Sequence, residues 1–136
     1  MSDYRMAVVT GASSGIGAAT VEALCGRGLE VHAVARRADR LAALAERTGC
    51  VARVLDVQDT DALIGMLGSL EVDVLVNNAG LGRAARTLAD AAIEDVNRIL
   101  STNVVAAVHA ARAVLPGMTD RGRGHVVNVG SMAGLY

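Results

Sequence analysis

Met6-Ala7-Val8-Val9-Thr10-Gly11-Ala12-Ser13-Ser14-Gly15-Ile16-Gly17 runs from a short apolar segment straight into a glycine-rich turn. A glycine at 11 lets the chain turn sharply, and those at 15 and 17 let backbone N–H groups and a helix start come close to a diphosphate. The order of strand, glycine turn and helix is that of a nucleotide site. A Gly-x-x-x-Gly-x-Gly spacing also occurs in purely structural bends, so the reading depends on what the rest of the chain supplies at matching places.

Working outward, short apolar runs alternate with helical patterns. The run at 6–10 leads into a helix over 16–27, where Ile16, Val21, Leu24 and Cys25 can share one face and Gly26 with Gly28 closes the end. Runs at 31–35, 51–55 and 72–76 predict three more strands, separated by helices over 39–47 and 60–70. After a glycine-bearing loop near 80–82 come a long helical pattern over about 91–118 and a fifth strand at 126–129. Runs that are largely apolar, without strict alternation, point to a parallel sheet covered on both faces. The predicted fold is one α/β domain spanning 1–136, a Rossmann-type doubly wound sheet.

Composition excludes several alternatives. The 136 residues are 52% hydrophobic, enough for a core, and a formal net charge of −1 gives no basic field for nucleic acid. Without Phe or Trp and with only Tyr4 and Tyr136, the core must be built from Val, Leu, Ile, Ala and Met. Cys25 and Cys50 form neither a Cys-x-x-Cys pair nor a metal spacing with His32, His109 or His125; no metal site and free thiols in a reduced cytosol are expected. The N-terminus has no signal-peptide pattern, and the most apolar stretch, 104–115, is interrupted by His109 and Arg112 and is too short to span a bilayer. These features predict a cytoplasmic protein with no membrane partner.

A doubly wound sheet binds its ligand at the carboxyl ends of its strands. After the second strand stand Arg36 and Arg37, with Ala35 where an NAD-selective site would present an acid to the ribose hydroxyls. Two guanidiniums would grip a phosphate that an aspartate would repel, which favours NADP over NAD, although the same arginines could simply open a solvated helix. After the third strand, Asp56-Val57 offers a carboxylate to the adenine amine. An aspartate there could also cap the next helix, but Asp59 is better placed and would leave Asp56 free. After the fourth strand, Asn77-Asn78-Ala79-Gly80 sets amides on a glycine turn, either tying strand ends, lining the groove or forming a plain turn. Asn103 lies in the long helix, and Leu100, Val104 and Val105 around it suggest burial. After the fifth strand, Ser131 in Gly130-Ser131-Met132-Ala133-Gly134 is placed to reach the same crevice, or to be only a turn former.

Taken in order, Thr10 to Gly17, Asp56-Val57, Asn77 to Gly80, Asn103 and Val127-Asn128-Val129-Gly130-Ser131 resemble the short-chain dehydrogenase/reductase family over essentially the whole chain. The resemblance implies a Rossmann-fold oxidoreductase exchanging hydride between a nicotinamide cofactor and an alcohol or carbonyl carbon. It implies that Gly11, Ser13, Ser14, Gly15, Ile16 and Gly17 hold the diphosphate, and that Arg36 with Arg37 is the basic pair of NADP-preferring members. Asp56 and Val57 would form the adenine pocket, and Asn78, Ala79 and Gly80 the loop beside the ribose. Asn103 matches the catalytic asparagine. Ser131, in preference to Ser101 or Ser69, matches the serine that hydrogen-bonds the substrate oxygen.

Gly130 replaces the first of the family's paired serines, and Ala106 stands where glycine is usual. The family's Tyr-x-x-x-Lys, whose lysine acidifies the tyrosine acid/base, lies about a dozen residues past the serine. Tyr136 comes too soon to be that tyrosine, and the sequence contains no lysine at all. A polypeptide of these 136 residues is therefore expected to bind cofactor without turnover, as part of a longer enzyme whose remaining strands and active-site helix are not in this sequence. A non-catalytic NADP-binding regulator or a cofactor-binding fragment is the alternative. The long helix needs a partner for its second face, which in the family is a subunit contact, so a homodimer or homotetramer is expected. The stretch 112–134 is similar to the branch of the family that oxidises 3-hydroxy acids such as serine and allo-threonine with NADP.

Overall fold

Five parallel strands stand in the order β3-β2-β1-β4-β5 in the computed structural model, which describes residues 3–82 and 87–132. In chain order the elements are β1 (Met6–Thr10), α1 (Gly15–Gly26), β2 (Glu30–Ala35), α2 (Ala38–Thr48), β3 (Val51–Val54), α3 (Thr60–Gly68), β4 (Val74–Asn77), α4 (Ile93–Leu100), α5 (Ala106–Asp120) and β5 (His125–Asn128). A π-helical turn over Ser101–Val105 joins α4 to α5. The chain winds outward from β1 to β3, then returns to lay β4 on the other side of β1, with Val8 opposite both His32 and Leu75. That reversal opens a crevice above the ends of β1 and β4.

The central strands are apolar on both faces because both faces are covered. Ala7, Val9, Val31 and Ala33 pack against Val21 of α1 and Leu41 and Leu44 of α2; Val8, Val34 and Leu75 pack against Leu63 and Leu67 of α3 and Ala106, Ala110, Val114 and Met118 of α5. The edge strands differ. β3 alternates between half-buried and exposed residues, and the ends of β5 are exposed.

Three expectations need correction. Isoleucine takes no part in the fully buried core among the described residues: Ile16 is 64% exposed because the first turn of α1 points it away from the sheet. Leu100, Asn103, Val104 and Val105 are exposed, so these residues in the middle of the long helix are not buried; the inner stripe of α5 meets the sheet, and Val108 and Leu115 on its other face are exposed among the described residues. The helix also runs unbroken in direction over Ile93–Asp120, 28 residues with a mean hydropathy of 1.3 in its most apolar part, so by length and composition it does reach the dimensions of a membrane span. In that apolar part 22% of the residues are buried, and the buried stripe of α5 belongs to the same core cluster as Val8 and Leu75.

At the opposite end of the sheet from the crevice, the strand predicted at 72–76 runs over Val74–Asn77; Asp73, whose backbone N–H donates to the Met6 carbonyl (3.0 Å) and whose carbonyl accepts the His125 N–H (2.8 Å) at the strand's entry, uses its side chain as an anchor. Its carboxylate, 1% exposed, accepts the N–H groups of Arg5 (2.7 Å) and Met6 (3.2 Å) and the Nε–H of Arg123 (3.0 Å). Burial raises the pKa of this group, but the three hydrogen bonds and the charge of Arg123 outweigh it and hold the carboxyl below its ordinary value.

Candidate functional site

The crevice, about 310 Å³, is lined by the ends of four strands and the loops that leave them. Gly11, Ser13 and Ser14 come from the turn after β1, Arg36 and Arg37 from the end of β2, Asp56, Val57 and Gln58 from the end of β3, and Asn78, Ala79, Gly80 and Leu81 from the end of β4. Thr102, from the π-helical turn, completes the wall.

The glycine turn is fastened from below. Thr10 sends its hydroxyl to the Val76 carbonyl (3.4 Å) and accepts the N–H groups of Asn78 (3.1 Å) and Ala79 (3.0 Å), locking the end of β1 to the end of β4. The Asn78 amide then donates to the carbonyls of Thr10 and Gly11, both at 3.1 Å. Gly11 needs its φ of +65°, and a Cβ there would lie 2.8 Å from the Ala79 Cα. At Gly17 a Cβ would lie 2.1 Å from the Gly11 carbonyl oxygen and 2.6 Å from the Asn78 amide nitrogen. Gly15, at φ +56°, has nothing within 4 Å of its Cβ position, so the turn presents open backbone on its outer side. This is a surface that a diphosphate can approach. Gly15 and Ile16 are exposed at the start of α1, and Gly17 is buried behind the turn; these three do not line the crevice.

The paired asparagines do both of the jobs expected of them. Asn77 is 8% exposed and donates to the Asn128 side chain (2.9 Å) and the Ala107 carbonyl (3.4 Å), so it ties β4 to β5 and to α5. Asn78 faces the crevice. Asp59 caps α3 through the Ala62 N–H (3.2 Å), as expected, but Asp56 is not left free: one of its oxygens accepts the Gln58 N–H at 2.9 Å, which fixes the carboxylate at the crevice wall. Arg36 and Arg37 are exposed, and Arg37 stands at the N-cap of α2. Two cations thus flank one end of the crevice, and Asp56 supplies a carboxylate to its lining.

Asn103 sits where the helix is π-wound and reaches the loop after β4. Its Oδ1 accepts the Leu81 N–H (2.7 Å) and its Nδ2 donates to the Leu81 carbonyl (2.9 Å), a two-point clasp on the segment that carries Ala79 and Gly80. Neither Asn103 nor Ser131 lines the crevice, and Ser131 is exposed beyond β5. Ala133, Gly134 and Tyr136, named above from the sequence, lie outside the described residues. Gln58, Leu81 and Thr102 were not expected at the crevice. Gln58 and Leu81 each follow a strand end by a few residues and were within reach of the strand-end rule; Thr102 is placed by the helix bulge, which leaves no sequence signal. Among the described residues, no three His, Cys, Asp or Glu side chains gather as a metal site.

Comparison with known proteins agrees with this geometry. A family model described as short chain dehydrogenase matches residues 5–136. The chain is 38% identical over 136 residues to the NADP-dependent 3-hydroxy acid dehydrogenase YdfG of Escherichia coli K12, covering 95% of this chain and 55% of that protein. It is 39% identical to the short-chain type dehydrogenase/reductase y4eK of Sinorhizobium fredii, covering 99% and 54%. Among solved structures, serine dehydrogenase from E. coli superposes with a TM-score of 0.89 at 38% identity, over 96% of this chain and 64% of that one. The closed form of serine dehydrogenase complexed with NADP+ gives 0.90 at 38% identity, over 96% and 56%. The chain spans about half the length of the curated relatives it matches.

Proposed function

The chain belongs to the short chain dehydrogenase family, and from that premise we propose that it forms the NADP-binding part of an oxidoreductase acting on an alcohol or carbonyl substrate, with 3-hydroxy acids such as serine as the substrate class. The observation that carries the reading is the placing of Arg36 and Arg37 on the same crevice as the glycine turn, next to Ala35 and with no acid at that strand end. Relatives named as NADP-dependent and a structural neighbour holding NADP+ support the cofactor.

In this reading the backbone of Gly11 to Gly17 holds the diphosphate, Arg36 and Arg37 grip the 2′-phosphate, Asp56 and Val57 meet the adenine, and Asn78 to Gly80 flank the ribose. When bound, the nicotinamide supplies the hydride acceptor or donor. Asn103 holds the loop beside the cofactor through Leu81, and Ser131 hydrogen-bonds the substrate oxygen. The proton of the substrate hydroxyl needs a tunable acid/base, which an arginine cannot supply at its pKa. With no lysine in its sequence, a polypeptide of these 136 residues binds NADP without turning over. The cytoplasm is the compartment that suits two unpaired thiols and a nicotinamide enzyme. Ile93, Leu100, Val104, Val108 and Leu115, each 47–63% exposed along the long helix, support a homodimer or homotetramer built on that face.

The test is a turnover assay following nicotinamide reduction with serine and other 3-hydroxy acids. The 136-residue polypeptide is expected to be inactive. A version of the protein extended through a Tyr-x-x-x-Lys is expected to reduce NADP. An extended protein that binds NADP but turns over none of a broad panel of alcohols would instead identify a regulator.

A further inference from the structure

Thr48, at the end of α2, stands beside both cysteines of the chain. Its hydroxyl donates to the Leu44 carbonyl (2.8 Å) and accepts the Cys50 N–H (3.2 Å), and Thr48 lines the same cleft as Cys25. Cys25 lies in the last turn of α1 and Cys50 immediately precedes β3, so the topology brings the two to the end of the sheet where the strands begin, on the face that α1 and α2 cover. Cys50 is 6% exposed and belongs to the apolar cluster under α1 and α2, and Cys25 packs against that cluster from its rim. Outside Cys25 is an open cleft of about 470 Å³, bordered by Glu22, Gly26, Arg47 and Thr48, with Arg47 paired to Glu22 at 2.6 Å. Cys25 borders this cleft, and Cys50 is buried.

We propose that Cys25 and Cys50 are a redox pair that closes to an intramolecular disulfide when the protein meets a low-molecular-weight disulfide. The Cys25 thiol releases its proton and its sulfur attacks one sulfur of the small disulfide. That S–S bond breaks, a mixed disulfide forms on Cys25 and the first small thiolate leaves. The Cys50 thiolate then attacks the Cys25 sulfur and expels the second. Two protein thiols are oxidised, the small disulfide is reduced to two thiols, and the two protons end on those leaving groups. Burial pushes the Cys25 thiol above its ordinary value, and the neighbouring Cys50 adds to the rise against the Thr48 hydroxyl. The rate therefore climbs with pH as thiolate is freed. The product ties the end of α1 to the start of β3, closing a loop that contains all of β2 and α2.

The protein is incubated with oxidised glutathione at neutral and alkaline pH, alkylated under denaturing conditions and digested with trypsin. Cleavage at Arg27, Arg47 and Arg53 separates Cys25, in residues 6–27, from Cys50, in residues 48–53. The expected result is that most of the protein yields these two peptides joined, lighter than their sum by two hydrogens, faster at alkaline pH and reversed by dithiothreitol. Cys25→Ser, at the rim, removes the joined peptide without opening the core, and serves where Cys50→Ser fails to fold. A glutathione adduct that persists on Cys25 with Cys50 alkylated overturns the proposal, and so does recovery of both cysteines as free thiols.

Discussion

Gly17→Ala is expected to weaken nucleotide binding by about two orders of magnitude and to destabilise the fold. The added methyl would stand 2.1 Å from the Gly11 carbonyl oxygen and 2.6 Å from the Asn78 amide nitrogen. Neither neighbour can yield cheaply. The Gly11 carbonyl belongs to the turn itself, and the Asn78 amide is held there by bonds to Thr10 and Gly11. Overpacking of this kind costs about 3 kcal/mol, and a turn held out of shape by that amount loses roughly a hundredfold in affinity. Gly15→Ala is the control on the same turn. Its methyl meets nothing within 4 Å, so only the φ of +56° is strained, at about 1 kcal/mol. Denaturant unfolding and titration calorimetry on the two variants should therefore rank them Gly17 well above Gly15; equal costs would mean that close packing of helix on turn does not shape this site.

The second large effect lies far from the crevice. Asp73→Ala leaves the Arg5 and Met6 N–H groups and the part-buried Arg123 guanidinium without their acceptor. Taking the acceptor from such donors costs about 1–3 kcal/mol. Asp73→Asn keeps the shape and some acceptor capacity while losing the charge, so it should cost less. The native carboxyl lies below its ordinary value of 3.8. Its charge therefore contributes stability in full above that value, and the contribution disappears as pH falls through the lower folded value. Unfolding measured against pH should show the wild type losing its advantage over Asp73→Asn on the acid side and keeping it at neutral pH. An advantage that does not change with pH would place the effect in packing instead of charge.

How much of this was legible in the sequence depends on what fixes each feature. The strand-turn-helix at 6–17 was readable because glycine spacing and apolar runs are local. So was the crevice, because strand ends in a doubly wound sheet converge wherever the chain reverses. Asp73 was hidden inside an apolar run: nothing local says that an acid there meets two backbone N–H groups and an arginine brought from far along the chain. The long helix misled for a related reason. Leu100, Val104 and Val105 look like core residues, yet their burial needs a second surface that these elements do not provide. The cap at Asp59 makes Asp56 look free in the sequence, whereas a short carboxylate also closes its own turn onto Gln58.

The central claim is that Arg36 and Arg37 make this a site for a 2′-phosphorylated dinucleotide. Removing a charge-assisted contact to a phosphate costs about 1.5–3 kcal/mol, which is about tenfold or more in affinity. Titration calorimetry of NADP and NAD against the wild type and Arg36→Ala tests it most directly. The wild type should bind NADP at least about tenfold more tightly than NAD, and the variant should lose most of that preference while its affinity for NAD stays the same. Equal affinity for the two cofactors in the wild type, or the same preference in both proteins, would contradict the account.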